Sequence, residues 1–259
     1  MEIGPLKILP FLHSKEAIFC EFHIKTKDYG SLDYLKNTIK NFNCKIVYLD
    51  LDMDEKGNIY ARGIIKASKE ELPIEKIRKE LIDSNKFINI ILKESPFKNI
   101  GIYTLIYPPS MNGTQLVILR AQHFTNMLNA LKDSWGNAGA TTLYYMGKMA
   151  GQDSYNALTK IFNLKGKELV KLELTLGKSY GWWSKWEVSE FNAENKTLKL
   201  RIYDSIECRY VKRNKPNGHF MRGLISGFLS KMFNTEIKSE EPKCIAIGDP
   251  YCEFHFKPK

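Results

Sequence analysis

Between Ala17 and Glu94 the apolar residues recur every second position, then every third or fourth, and this exchange of periods happens twice. No other feature of the chain restricts its fold so strongly. Ile18, Cys20, Phe22 and Ile24 alternate with Phe19, Glu21, His23 and Lys25, the period of a strand. Leu32, Leu35, Ile39 and Phe42 then fall on one helical face. The stretches CKIVYLDLDMD and IYARGIIKAS, parted by EKGN, read as a hairpin. A second helix is announced by the capping-box spacing Ser68-Lys69-Glu70-Glu71, with Pro73 in its first turn and Ile74, Ile77 and Leu81 as its buried stripe. FINIILKES closes the series with Ile88, Ile90 and Leu92 on one face. Strand, helix, strand, strand, helix, strand is the ferredoxin-like βαββαβ order, in which two helices cover one face of a four-stranded antiparallel sheet.

The opening AIFCEFHIKTKDYGSLDYLKNTIKNFNCKIVYLDLD resembles the start of an ACT domain, over about residues 14–95. That resemblance implies an amino-acid site at a dimer interface, in the turn Asp28, Tyr29, Gly30 and Ser31, with Tyr29 where the family usually has proline. Backbone N–H groups at a helix start favour a carboxylate, so the expectation is physically sound. Pro108, Pro109 and Gly113 suggest a junction, giving an ACT-like domain over 1–108 and a second domain over 109–259.

The second half opens on Val117, Ala121, Phe124, Leu128, Leu131 and Trp135 at steps of three and four, one face of a long helix. Gly136, Gly139, Gly147 and Gly151 follow, too many for a solitary helix unless another backbone or a ligand approaches closely. No strand precedes them and no Lys-Ser/Thr ends them, so a phosphate loop is disfavoured. Short strands come next, with Trp182, Trp183 and Trp186 as core residues or pocket lining. NGHFMRGLISGFLSKMFN is another glycine-containing amphipathic helix, and EEPKCIAIGDPYCEFHF ends the chain.

Together LGKSYGWW, DSIEC, GHFMRGLISGFLSKMFN and EEPKCIAIGDPYCEF resemble the 4-vinyl reductase domain family over about residues 112–256. The resemblance implies an α/β small-molecule-binding domain with antiparallel strands and glycine-containing helices, α+β overall with the first half. In the aromatic sensors of that family zinc is held by a cysteine, a Glu-x-x-Cys and a cysteine eight residues further on. Glu241, Cys244 and Cys252 fit that pattern. The first cysteine aligns near Gly218, so His219 is the expected fourth ligand of a structural zinc. Phenol sensors carry Asn-Ser-Trp-Glu where this chain has Asp204, Ser205, Ile206 and Glu207, so a ligand would meet Ile206 and phenol recognition does not carry over.

Geometry adds a condition to the metal. In a regular hairpin turning at Gly248 to Pro250, Cys244 and Cys252 stand about 13 Å apart at about 3.3 Å per residue. Two ligands of one ion need sulfurs about 4 Å apart. The segment CIAIGDPYC must therefore curl back as a loop.

Of the 39 Lys/Arg and 29 Asp/Glu, 17 and 15 fall in residues 1–108, leaving 22 and 14 beyond, so the second half carries +8 of the net +10. The dense run RYVKRNK has neither zinc-finger spacing nor stacking aromatics around it, and direct nucleic-acid binding is not expected. Five cysteines are an odd, sparse set that argues for reduced thiols. No apolar run is long enough to cross a bilayer, no signal-peptide pattern opens the chain, and a cytoplasmic location is expected. No nucleophile–base pair, dinucleotide fingerprint or Cys-x-x-Cys is visible. The expectation is a non-enzymatic, homodimeric regulatory protein that senses a hydrophobic or amino-acid-like small molecule. The alternatives are a lipid carrier or interaction module, as the resemblance to vesicle-tethering subunits implies, and an accessory to tetrapyrrole vinyl reduction.

Overall fold

The computed structural model describes residues 11–67, 72–97, 99–105, 110–111 and 114–259. The chain divides into two compact units, Met1–Val117 and Ile118–Lys259. The capping-box residues Ser68 to Glu71 and the Pro108, Pro109 and Gly113 of the expected junction lie outside the described residues.

In the first unit β1 (Phe11–His13) precedes β2 (Ile18–Thr26), α1 (Gly30–Asn41), β3 (Cys44–Met53), β4 (Ile59–Ala67), α2 (Ile74–Asp83) and β5 (Asn89–Glu94). β6 (Ile100–Ile102) pairs back with β1, and β7 (Ser110–Met111) with β8 (Thr114–Gln115). The main sheet is antiparallel in the order β3-β4-β2-β5. One face packs Cys20, Phe22 and Ile24 against Leu35 and Ile39 of α1 and Ile77 and Leu81 of α2. Burying each large aliphatic or aromatic side chain stabilises by about 1.5–3 kcal/mol, so the two helical stripes hold the layer together. Ile88 departs from its expected place, since it precedes β5 and is exposed.

The opposite face of β2 is also covered. Phe19, Ile64 and Tyr103 are buried together, and the carboxylate of buried Glu21 accepts hydrogen bonds from Thr104 N, Thr104 Oγ1 and Leu105 N. A strand whose polar alternation suggests water on one side therefore has protein on both.

The second unit runs through α3 (Ala121–Ile161), α4 (Gly166–Ser179), β9 (Lys185–Asn192), β10 (Thr197–Tyr203), α5 (His219–Phe233), β11 (Ile237–Lys243), a 3₁₀ turn (Ile245–Ile247) and β12 (Cys252–Pro258). Its antiparallel sheet has the order β11-β12-β10-β9. α3 is broken at Gly136, where φ is 54°. That break ends the expected apolar stripe: Leu128 is buried, while Trp135 beside the kink and Val117 before the helix are 62% and 81% exposed.

The glycines beyond the kink meet a backbone. A Cβ on Gly147 or Gly151 would collide with the carbonyl oxygens of Phe220 and Leu224 on α5. In return, a Cβ on Gly223 or Gly227 would collide with those of Tyr144 and Lys148 on α3. Two glycines one turn apart on each helix thus bring the main chains into direct contact, a spacing that any side chain would forbid. The contact fixes the N-terminus of α5 over the end of the sheet, where the cysteine tail arrives.

Candidate metal centre

Cys208, Glu241, Cys244 and Cys252 each offer a donor atom, and the four donors lie within 4.8 Å of one another. Cys244 Sγ is 3.6 Å from Cys208 Sγ and 3.9 Å from Cys252 Sγ. A tetrahedral zinc with Zn–S bonds near 2.3 Å needs sulfurs about 3.8 Å apart, so these separations fit one ion.

Each donor is delivered by a local distortion. Glu241 lies on β11 where the pairing with β12 slips, because Glu240 faces His255 while Lys243 faces Glu253. Glu241 and Pro242 therefore share one position opposite Phe254, a bulge expected where proline has no N–H for the ladder. The bulge turns the Glu241 carboxylate inward, leaving the residue 9% exposed.

After β11 the chain curls, as two ligands so close in sequence require. Ile247 N and Asp249 N both donate to Cys244 O, and the Asp249 carboxylate accepts from Cys244 N at 2.8 Å. Gly248 completes the loop at φ 104°, a conformation that favours glycine. Cys252 then opens β12, with its sulfur 3.5 Å from Ile245 N.

Cys208 comes from a single helical turn after β10. Cys208 N and Arg209 N both donate to Ser205 O, and Thr125 Oγ1 of α3 donates to Ile206 O at 2.6 Å. The Asn217 side chain donates to Glu207 O, tying this turn to the start of α5.

The N-terminus of α5 closes the site. Gly218 N donates to Glu241 Oε2 at 2.9 Å, and Asn217 N to Cys244 Sγ at 3.3 Å. Phe220 N and Met221 N donate to the two oxygens of Glu207. The free N–H groups and positive end of the helix dipole thus face two carboxylates and a sulfur, the arrangement that stabilises negative charge. Gly218 must be glycine here, since a Cβ would lie 2.8 Å from Glu241 Oε1 and 2.9 Å from the Phe254 ring.

Burial and the neighbouring Cys244 sulfur push the Glu241 carboxyl up to about 9, and burial raises Glu207 to about 7. Hydrogen bonds to Cys244 and Cys252, with burial, hold the Cys208 thiol well above its ordinary range. Glu241 Oε1 is buried without a hydrogen-bond partner. Three thiols, a carboxylate and an orphaned oxygen around one point form a donor set that a thiophilic divalent cation satisfies, with displacement of protons.

His219 is not part of the cluster. It begins α5, and its Nδ1 lies 3.0 Å from Arg222 Nη2. Cys208 stands in the place expected for it.

The other expected site residues are dispersed. Asp28 accepts from Gly30 N, Ser31 N and Ser31 Oγ at 3.0 to 3.1 Å, so the chain's own carboxylate occupies the donors assigned to a ligand. Tyr29 beside them is exposed. Trp183 is buried under Gly177, with Nε1 donating to Leu174 O. Trp182 packs its ring on Phe124 and Phe220, and its carbonyl accepts from Ile206 N. Trp186 lies on β9, across from Ile202. Ile206 is buried in the core.

Residues 198–258, which include all four donors, match the 4-vinyl reductase domain family. The chain is 31% identical over 119 residues to an uncharacterized protein of Methanocaldococcus jannaschii, covering 44% of this chain and 62% of that protein. It thus spans less than two thirds of that relative's length. The phenol-responsive sensory domain of the transcription activator PoxR, solved with phenol, superposes over 56% of this chain and 77% of its own at 16% identity and a TM-score of 0.50, a likeness of fold. A vinyl-4-reductase family protein from Methanocaldococcus jannaschii matches over 56% of this chain and 84% of its own, at 20% identity and a TM-score of 0.40.

Proposed function

We propose that the protein is a non-enzymatic small-molecule sensor whose second unit binds the ligand and carries a structural zinc. The observation that carries this reading is the cluster of three sulfurs and one carboxylate oxygen within 4.8 Å, all inside the stretch matching the 4-vinyl reductase domain family. Cys208, Glu241, Cys244 and Cys252 would hold the ion, which would tie the turn after β10, the bulge of β11 and the start of β12 together. Four protein donors leave no position for an activated water, which favours structure over catalysis.

The sensory-domain fold of PoxR supports ligand binding as the role of the second unit. PoxR's own ligand does not transfer, because Ile206 here is packed in the core. A lipid carrier needs an apolar hollow, whereas Trp183, Phe228, Phe254 and Phe256 fill the space between helices and sheet. The first unit is read as an ACT-like, ferredoxin-like module that joins two copies. Exposed Leu49, Leu51 and Met53 on β3, an edge strand of its sheet, support pairing there.

A ligand that binds only the folded protein raises its melting temperature, by about 2.7 kcal/mol of stabilisation at a hundred times its Kd. A thermal-shift screen of amino acids, small aromatics and organic acids should give at least one saturable rise. Flat responses throughout would defeat the sensor reading.

A further inference from the structure

A cleft of roughly 440 Å³ opens between α3 beyond its kink, the first turn of α5 and the middle of β11. Its lining includes Tyr144, Tyr145, His219, Arg222, Lys238 and Ser239 and, among the described residues, no carboxylate. Arg222 spends two of its nitrogens: Nη1 donates to Ser239 O at 3.3 Å, and Nη2 faces His219 Nδ1 at 3.0 Å. The guanidinium lies 5.8 Å from the centre of the Tyr144 ring, which holds its plane. Neither Arg222 nor Lys238 has a carboxylate within ion-pairing distance among the described residues.

Two polar atoms here are buried and unspent, Arg222 Nε and Ser239 Oγ. Leaving a buried donor unmade costs about 1–3 kcal/mol, and more for a charged group, so such a pair in one cleft calls for an acceptor. His219 supplies a third donor by elimination. A guanidinium can only donate, so Nδ1 is the acceptor in that contact and Nε2 carries the proton. The cleft therefore offers an arginine, a lysine, an imidazole N–H and a hydroxyl beside two aromatic rings.

We propose that this cleft is the site of an anionic ligand, a small organic carboxylate whose oxygens meet Arg222 Nε and Ser239 Oγ and whose apolar body lies against Tyr144 and Tyr145. The proposal rests on the sensor reading and gives its ligand a chemical class and a place. His219 and Arg222 belong to the first turn of α5, and the N–H groups at that end hold Glu207 and Glu241. A ligand in the cleft thus pulls on the same helix end that closes the metal centre.

Titration of the full-length protein with benzoate, salicylate and indole-3-acetate, each beside its uncharged analogue phenol or indole, tests the site. The carboxylates should bind at least tenfold more tightly than the neutral rings, and Arg222→Gln should remove that preference while leaving phenol and indole unchanged. Lys238→Gln, at an exposed position, should weaken the carboxylates several-fold and serves if Arg222→Gln fails to fold. Equal binding of charged and neutral rings, or carboxylate binding indifferent to both substitutions, overturns the anion site and leaves the sensor reading standing. A protein that binds none of these compounds, and nothing in the wider screen, overturns both.

Discussion

Cys208 lies 36 residues before Cys244 in the chain, yet their sulfurs are 3.6 Å apart. Ten residues separate it from Gly218, the position where the resembling sensors have their first cysteine. At 218 the Glu241 carboxylate already fills the space that a side chain would need, so the third thiol arrives from the turn after β10 instead. His219 is adjacent in sequence to that position, but the start of α5 points it toward Arg222. Native mass spectrometry of zinc-loaded protein should therefore show one metal per chain in His219→Ala and none, or a loosely held one, in Cys208→Ser. Metal retained by Cys208→Ser and lost from His219→Ala would return the fourth ligand to the histidine.

The helix pair α3 and α5 is the element on which both the metal centre and the cleft depend. Its glycines allow carbonyl oxygens of each helix to stand where the other's side chains would be. Gly151→Ala adds one methyl against Leu224 O, and such overpacking costs typically about 1–3 kcal/mol. For a unit of this size that is a fall in melting temperature of roughly 2–4 °C per kcal/mol. Gly166→Ala is the contrast, since nothing lies within 4 Å of its added Cβ and only its positive φ of 53° opposes the change. Calorimetry of the two variants should show the larger loss at Gly151. Equal losses would mean that backbone conformation rather than helix contact decides.

Across the full chain, +8 of the net +10 lies in the second half, and the cleft draws on that excess with no acidic residue among its described lining to balance it. None of the described helices is long and apolar enough to cross a membrane. Two copies joined through the first unit should sediment at about twice 30.0 kDa. Leu49→Lys with Leu51→Lys on β3 should shift that mass toward one chain without releasing metal. A wild-type mass of a single chain would remove the dimer. Chelation should lower the transition of the second unit while leaving that of the first in place, because the four donors lie entirely between residues 208 and 252. A chelator that melts both units equally would assign the metal a wider role.

The order of elements in the first unit was readable because period two and period 3.6 are properties of short stretches, and Cys20, Phe22, Leu35, Ile39, Ile77 and Leu81 are buried where those periods place them. The glycines of α3 announced a close backbone contact for a similarly local reason, and the cysteine tail announced its own loop because two ligands eight residues apart have no other way to meet. Three of the four cluster residues, Glu241, Cys244 and Cys252, lie within that one short span. What depends on chain separated by tens of residues was hidden. No spacing joins Cys208 to Cys244, no local pattern reveals that Asp28 fills the turn expected for a ligand, and Trp183 cannot be told from a pocket residue before Gly177 is seen against its ring. Residue order alone was enough for the layers of the first unit and for the thiol-rich loop of the tail, since both follow from neighbours along the chain. The fourth group of the cluster and the arginine left facing an open cleft came from the folded arrangement, because both follow from where α5 docks, and that is set by contacts between helices more than sixty residues apart.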